Sequence, residues 1–94
     1  MNHGDFYHII FHDKDALRKV YDDSGYNPDA EFFSLDKPYP AILIAFDYSN
    51  NPTYYDFYII GYDCMFHESI RVYRSLVDDG KIDLKGVYWR DAIK

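Results

Sequence analysis

The chain has 94 residues, of which 14 are Asp, only two are Glu and 11 are Tyr, and its net charge is −6 at pH 7. A chain of this length is expected to form one domain, residues 1–94, around a single core. Its negative charge disfavours direct binding to DNA or RNA, because that affinity comes largely from Lys and Arg neutralising phosphates.

The choice of polar residues points to a surface that another molecule contacts. Glu has a higher helix propensity than Asp, so it is the better acidic residue for a helix surface. A chain that needed acids only for solubility would therefore be expected to use both. Tyr has a large, stiff ring with a polar tip, which suits contact surfaces. The alternative is an acidic protein whose charge serves solubility alone.

Cysteine usage and hydropathy indicate the compartment. The single cysteine, Cys64, excludes an intramolecular disulfide and fits a reducing cytoplasm. The longest apolar run, residues 41–46, is far shorter than the roughly 20 residues of a membrane span. Residues 1–11 contain His and Asp and have no long apolar run, so we expect no signal peptide. The expected location is the cytoplasm, without a membrane partner.

Residues 5–12 predict the first strand, because they are rich in aromatic and β-branched residues and contain no breaker. Alternation along a strand divides its side chains between two faces. One face carries Tyr7, Ile9 and Phe11, and the other carries Phe6, His8, Ile10 and His12.

Residues 14–23 predict a helix that follows this strand. Asp13 is a suitable N-cap, and Gly25 follows where a helix would end on a left-handed residue. Apolar side chains recur at helical spacing at Ala16, Leu17, Val20 and Tyr21.

The middle of the chain predicts a β-hairpin after a short helical turn. Asn27 and Pro28 favour that turn, which would continue through Phe33. Pro38 and Pro40 then require an extended approach, because each disfavours helix in the residue before it. Residues 41–48 and 53–61 predict two antiparallel strands, and residues 49–52 have the composition of a turn.

The last third predicts a second helix and a final extended segment. Residues 66–79 place apolar side chains at helical spacing, namely Ile70, Tyr73, Leu76 and Val77. Gly80 ends this helix. Residues 82–84 and 87–89 supply a final strand or two short extended pieces.

This order of elements predicts an α+β fold of the ferredoxin-like βαββαβ type. In that fold an antiparallel sheet carries two helices on one face. The opposite face stays open unless something covers it. The fold hosts many unrelated functions, so it does not select one.

The open face is the candidate contact surface. We expect an inward set of Ile42, Ile44, Phe46, Tyr55, Phe57 and Ile59, beside Tyr7, Ile9 and Phe11. The outward set is then Leu43, Ala45, Asp47, Tyr54, Asp56 and Tyr58, beside His8 and Ile10. Such a face is too apolar for an ordinary solvated sheet. It is either a contact surface or is covered internally by residues 26–40 or Trp89.

Catalytic and metal chemistry find little support in the sequence. Cys64 and His67 are three residues apart, but no third group completes a nucleophilic site. His8 and His12 lie roughly 13 Å apart on a strand, too far to share one metal. His3 could join a free amino terminus in a Cu(II) or Ni(II) site, as any third-position His could. We therefore expect no enzyme activity, no cofactor and no metal.

Two functions remain. The first is a small acidic, Tyr-rich binding protein that occupies a basic surface of another protein, as inhibitors of nucleic-acid-handling enzymes do. In size and charge the chain resembles phage counter-defence and toxin-immunity proteins. Its predicted contact residues are Asp47, Tyr54, Asp56 and Tyr58 on the hairpin, with Asp22, Asp23, Asp29 and Glu31 as a second patch. The alternative is a homo-oligomer that binds a small planar ligand, such as a nucleotide, where open sheet faces pair.

Overall fold

The computed structural model describes residues 4–23, 33–47, 51–60 and 69–88. In chain order the elements are β1 (Phe6–Phe11), α1 (Lys14–Asp23), β2 (Pro38–Phe46), β3 (Tyr54–Ile59), β4 (Ser69–Tyr73), α2 (Arg74–Asp78) and β5 (Ile82–Val87). The five strands form one sheet in the order β4-β3-β2-β1-β5, and every neighbouring pair is antiparallel. Neither helix in these ranges has the length and apolar character needed to cross a membrane.

The α+β class and the antiparallel sheet agree with the sequence, whereas the ferredoxin-like order is not confirmed. In this sheet β1 and β2 are neighbours although α1 lies between them in the chain. Because all neighbours are antiparallel, the edge strands β4 and β5 run in the same direction. The short connection between them, which contains α2, therefore crosses the sheet, and α2 contacts both edge strands.

The predicted helix over residues 66–79 is wrong over residues 69–73, and residues 66–68 lie outside the described ranges. Ser69–Tyr73 forms strand β4, paired with β3, and only Arg74–Asp78 is helical. Ile70 and Val72 are both fully buried, so burial here has the two-residue period of a strand. These β-branched residues fit a sheet surface better than a helix, and pairing with β3 adds tertiary contacts that local spacing cannot reveal.

The start of α1 and the end of α2 are those that the sequence predicts, whereas Gly25, the predicted end of α1, lies outside the described residues. The Asp13 carboxylate accepts a hydrogen bond from the Ala16 amide at 3.0 Å and thereby caps α1. Gly80 has φ 75° and ends α2, where the Lys81 amide donates to the Leu76 carbonyl and the Gly80 amide donates to Val77. This is a Schellman motif, which favours glycine at the left-handed position.

The core lies between α1 and one face of the sheet. It includes the predicted inward residues of β1 and the predicted apolar stripe of α1, all of which are buried: Tyr7, Ile9, Phe11, Ala16, Leu17, Val20 and Tyr21. Leu76 and Val77 of α2 pack against the same core. Side chains of both helices thus contribute to one apolar cluster.

An aromatic cluster fixes the chain just before β2. The Phe33 ring stacks on Phe11 and on Tyr21, with ring centroids 5.5 and 5.9 Å apart, and it meets the Tyr39 ring edge-on at 4.8 Å. The Phe33 amide donates to the Tyr21 hydroxyl at 2.9 Å, and the Ser34 amide donates to the Tyr39 hydroxyl at 2.6 Å. These tyrosines therefore satisfy backbone donors inside the protein rather than forming a contact surface.

The predicted faces of β2 are wrong at Ile42, Leu43 and Ile44. Leu43 is fully buried, whereas Ile42 is half-buried on the other face and Ile44 is exposed. A register shift between Leu43 and Ala45 inserts one unpaired residue, which is a β-bulge. The bulge reverses the alternation, so Phe46 packs against the core as predicted.

Candidate functional site

The outward sheet face is the surface turned away from α1. Across four strands it carries an apolar row in which neighbouring side chains are direct cross-strand partners. This outward row consists of Val87, Phe6, Ile42 and Tyr58. All four are half-buried, so the face resembles neither a core nor a solvated sheet surface.

A polar group of three side chains adjoins the outward row on β3 and β4. The Arg71 guanidinium donates two hydrogen bonds to the Asp56 carboxylate, from Nε to Oδ1 at 2.9 Å and from Nη2 to Oδ2 at 3.1 Å. The same guanidinium lies over the Tyr54 ring, 4.0 Å from its centroid. We call Tyr54, Asp56 and Arg71 the polar triplet. Its members are direct or diagonal neighbours across the antiparallel pair, since Asp56 faces Arg71 and Tyr54 faces Tyr73.

The polar triplet is a preorganised group. A bidentate Arg–carboxylate pair is stronger and more directional than a single-contact ion pair. Only 15% of the Asp56 side chain is exposed, so water competes weakly for its oxygens. The hydrogen bonds from Arg71 to Asp56 raise the pKa of the guanidinium above its ordinary value. Arg71 therefore remains charged and fixed in place.

The structure places three of the four predicted hairpin residues on one face of β3. Tyr54, Asp56 and Tyr58 share the outward face of β3, as expected. Asp47 lies just after β2, where its Oδ2 accepts hydrogen bonds from the Thr53 amide at 2.7 Å and the Thr53 hydroxyl at 2.6 Å. These bonds join the ends of the connection between β2 and β3. Both predicted hairpin carboxylates are thus engaged within the protein.

The described part of the second predicted patch, Asp22 and Asp23, is not assembled with the first. Asp22 is exposed at the C-terminal end of α1, in the helical layer. Only 22% of the Asp23 side chain is accessible, and its carboxylate lies 3.4 Å from the Lys19 ammonium. Asp29 and Glu31 lie outside the described residues. The face of the hairpin and the end of α1 are therefore separate surfaces.

Arg71 and Ile42 lie on the outward sheet face, where the sequence did not place them. Arg71 falls within the predicted helix over residues 66–79, and Ile42 belongs to the predicted inward set. The alternation of Ile70 and Val72 about Arg71 was the available signal for a strand. No comparable signal marks the bulge that turns Ile42 outward.

A second cluster of titratable groups lies at the C-terminal end of β1. His12 Nδ1 is 2.6 Å from Asp36 Oδ1, and His12 Nε2 is 2.9 Å from Asp83 Oδ2. These carboxylates bind opposite sides of the ring, so the three groups do not converge on one point. Within the described ranges, no three His, Cys, Asp or Glu side chains are arranged to hold a metal ion. His3, Cys64 and His67 lie outside those ranges.

Comparison of the chain with protein-family models, with curated proteins and with solved structures gives no match. Functional arguments for this chain therefore rest on its own residues.

Proposed function

We propose that this protein is a small binding domain whose contact surface is the outward sheet face. The observation that carries the proposal is the polar triplet beside the outward row: a fixed arginine, a tyrosine ring and an apolar strip on one surface. Tyr and Arg are enriched at the residues that dominate binding energy, and aromatic and apolar contacts surround them in typical interfaces. The partner is another protein.

Preorganisation is the physical reason to expect affinity from this face. Ordering a free, rotamer-rich side chain at an interface costs roughly 0.5 to 1.5 kcal/mol. The Arg71 side chain is already held by Asp56 and by the Tyr54 ring, so much of that cost is met on folding. An interface built on the polar triplet therefore loses less entropy than one built on a mobile arginine.

Charge gives the class of partner. The net charge of −6 favours encounter with a basic surface and repels nucleic acid. Exposed carboxylates include Asp36, Asp78 and Asp83, with 72%, 63% and 61% of the side chain accessible. Each of the three also contacts a basic side chain of the protein, His12 or Arg74, which offsets part of its charge. Steering of a basic partner is therefore a property of the whole negative surface, which includes the exposed Asp15, Asp22 and Asp79. Asp47 and Asp56 act within the hairpin. Within this proposal the partner is a nucleic-acid-handling enzyme that the protein inhibits in the cytoplasm, as phage counter-defence and immunity proteins do.

Partner capture from the native host tests the proposal. Ile42→Lys places a charge in the outward row, and Leu35→Lys makes the same change at a side chain that is 41% exposed in the loop before β2. We expect the wild type and Leu35→Lys to capture the same protein and Ile42→Lys to bind it at least about tenfold less tightly, or about 1.4 kcal/mol. Both variants must first give the wild-type circular dichroism spectrum.

Salt dependence separates steering from contact in the same experiment. Higher ionic strength should slow association of the captured protein, because exposed charges are screened beyond a Debye length of about 10 Å at 0.1 M. The dissociation rate should change less with salt, because it depends on the apolar contacts of the outward row. Equal binding by Ile42→Lys and Leu35→Lys would exclude this face as the contact surface.

The outward row also favours a second candidate function. Two copies could pair through this face and hold a small planar ligand, such as a nucleotide, between their aromatic rings. Light scattering during size exclusion discriminates the two functions. A dimer in the wild type that becomes a monomer in Ile42→Lys supports pairing, whereas a monomer at every concentration supports binding to a different protein.

A further inference from the structure

The imidazole of His12 lies where three segments of the chain meet. The Asp36 amide donates to the Phe11 carbonyl at 2.7 Å, which ties the loop before β2 to β1. The His12 amide donates to the Lys81 carbonyl at 2.8 Å, which ties β1 to the turn before β5. The imidazole then bridges the same segments through the carboxylates of Asp36 and Asp83.

The number of N–H groups on the His12 ring decides how many carboxylates it can bind. A neutral imidazole has one N–H and can donate to one carboxylate, whereas an imidazolium donates from both nitrogens. Both ring nitrogens of His12 lie within hydrogen-bond distance of carboxylate oxygens, and only the charged ring can donate to both. The hydrogen bond to Asp36, followed by that to Asp83, raises the pKa of His12 above its ordinary value.

The two sides of the bridge differ in rigidity. Asp83 belongs to β5, where it is paired with Ile10 of β1 in the sheet ladder. Asp36 lies in a loop and has φ 60°, a left-handed conformation that is unfavourable for residues other than glycine, although Asp tolerates it better than most. When one hydrogen bond is lost, the loop is the side that can move.

We propose that His12 is a proton-dependent clasp that holds the loop at Asp36 against the start of β5 and releases Asp36 when the imidazole becomes neutral. The charged groups that the structure brings to the ring are the carboxylates of Asp36 and Asp83. The adjoining segments also carry Asp13, Lys14, Lys37 and Lys81. The clasp is a property of the fold and does not depend on the proposed partner.

The sign of the pH dependence follows from the raised pKa. Stability from the clasp is fully present below about pH 6.5, the ordinary pKa of histidine, and is lost as the pH rises through the raised value in the folded protein. The clasp therefore closes in mildly acidic to neutral solution and opens in alkaline solution.

NMR of the full chain tests the clasp. The titration of the His12 ring is recorded from about pH 5 to about pH 9, a range that brackets histidine ionisation. Solvent exchange of the Asp36 amide is measured over the same range and corrected for its intrinsic rate. We expect the His12 midpoint to lie above the ordinary value and the Asp36 protection factor to fall several-fold with that midpoint.

Three variants make the result specific. In His12→Gln, Asp36 protection should be low and independent of pH, and in Asp36→Asn/Asp83→Asn the His12 midpoint should fall. His8→Gln is the matched control, because His8 lies on the same strand opposite Lys85 and Pro40, and it should behave as the wild type. A His12 midpoint at or below the ordinary value, or Asp36 protection that stays constant while His12 titrates, would overturn the clasp; both are read from the wild type alone.

Discussion

Replacement of Phe33 by alanine should lower the free energy of unfolding by about 3 to 5 kcal/mol, the usual cost of removing a buried phenylalanine. The Phe33 ring is buried and contacts the rings of Phe11, Tyr21 and Tyr39. The free energy of unfolding of a typical domain is only about 5 to 15 kcal/mol, so this one substitution would remove a large part of the stability. Chemical denaturation followed by tyrosine fluorescence measures it.

The matched control for Phe33 is its near neighbour Leu35. Leu35 is 41% exposed, so Leu35→Ala should change stability by no more than about 0.5 kcal/mol. A similar loss in both variants would show that the aromatic cluster does not anchor this loop. Because Asp36 lies in the same loop, Phe33→Ala should also weaken the clasp on His12.

The polar triplet should show strong coupling in a double-mutant cycle. Arg71→Ala leaves a carboxylate that is only 15% exposed without its donors, and we expect a loss of roughly 1 to 3 kcal/mol in unfolding free energy. Asp56→Ala should cost less, because 40% of the Arg71 side chain is exposed and water can replace the lost bonds. The double variant should cost less than the sum, by about 1 kcal/mol.

The cycle decides whether the pair is more than an ordinary surface ion pair. Exposed pairs typically contribute about 0 to 1 kcal/mol, and many contribute nothing measurable. Arg74 and Asp78, 3.5 Å apart on α2, are such a pair and provide the control cycle. If the coupling of Asp56 with Arg71 equals that of Arg74 with Asp78, the arginine is not preorganised, and the main physical argument for the contact face is lost.

The sequence correctly predicted those strands and helices in which buried residues recur at a single spacing along the whole element. Tyr7, Ile9 and Phe11 alternate with half-buried residues along β1, and Leu17 and Val20 recur on α1, so the sequence identified both. In β4 the same reasoning failed, because Tyr73, Leu76 and Val77 continue a helical spacing across the junction between a strand and a helix. In β2 the β-bulge between Leu43 and Ala45 reverses which side chains face the core. No residue type in this stretch predicts a bulge.

Tertiary pairs were beyond the reach of sequence analysis. The partners of His12 lie 24 and 71 residues away in the chain, and Arg71 lies 15 residues from Asp56. Composition was also ambiguous about tyrosine. Tyr21 and Tyr39 bind backbone amides beside the core, while Tyr54 and Tyr58 lie on the outward face, so tyrosine occurs in both environments.

Methyl cross-saturation NMR on the complex with the captured protein tests the contact face most directly. Saturation of the partner should transfer to the methyl groups of Ile10, Ile42 and Val87 on the outward side of the sheet. The methyl groups of Leu17 and Val20 on α1 and of Leu35 in the loop should remain unaffected. Transfer to α1 or to Leu35, with Ile42 and Val87 unchanged, would contradict the account, because the partner would then bind the helical layer or the loop.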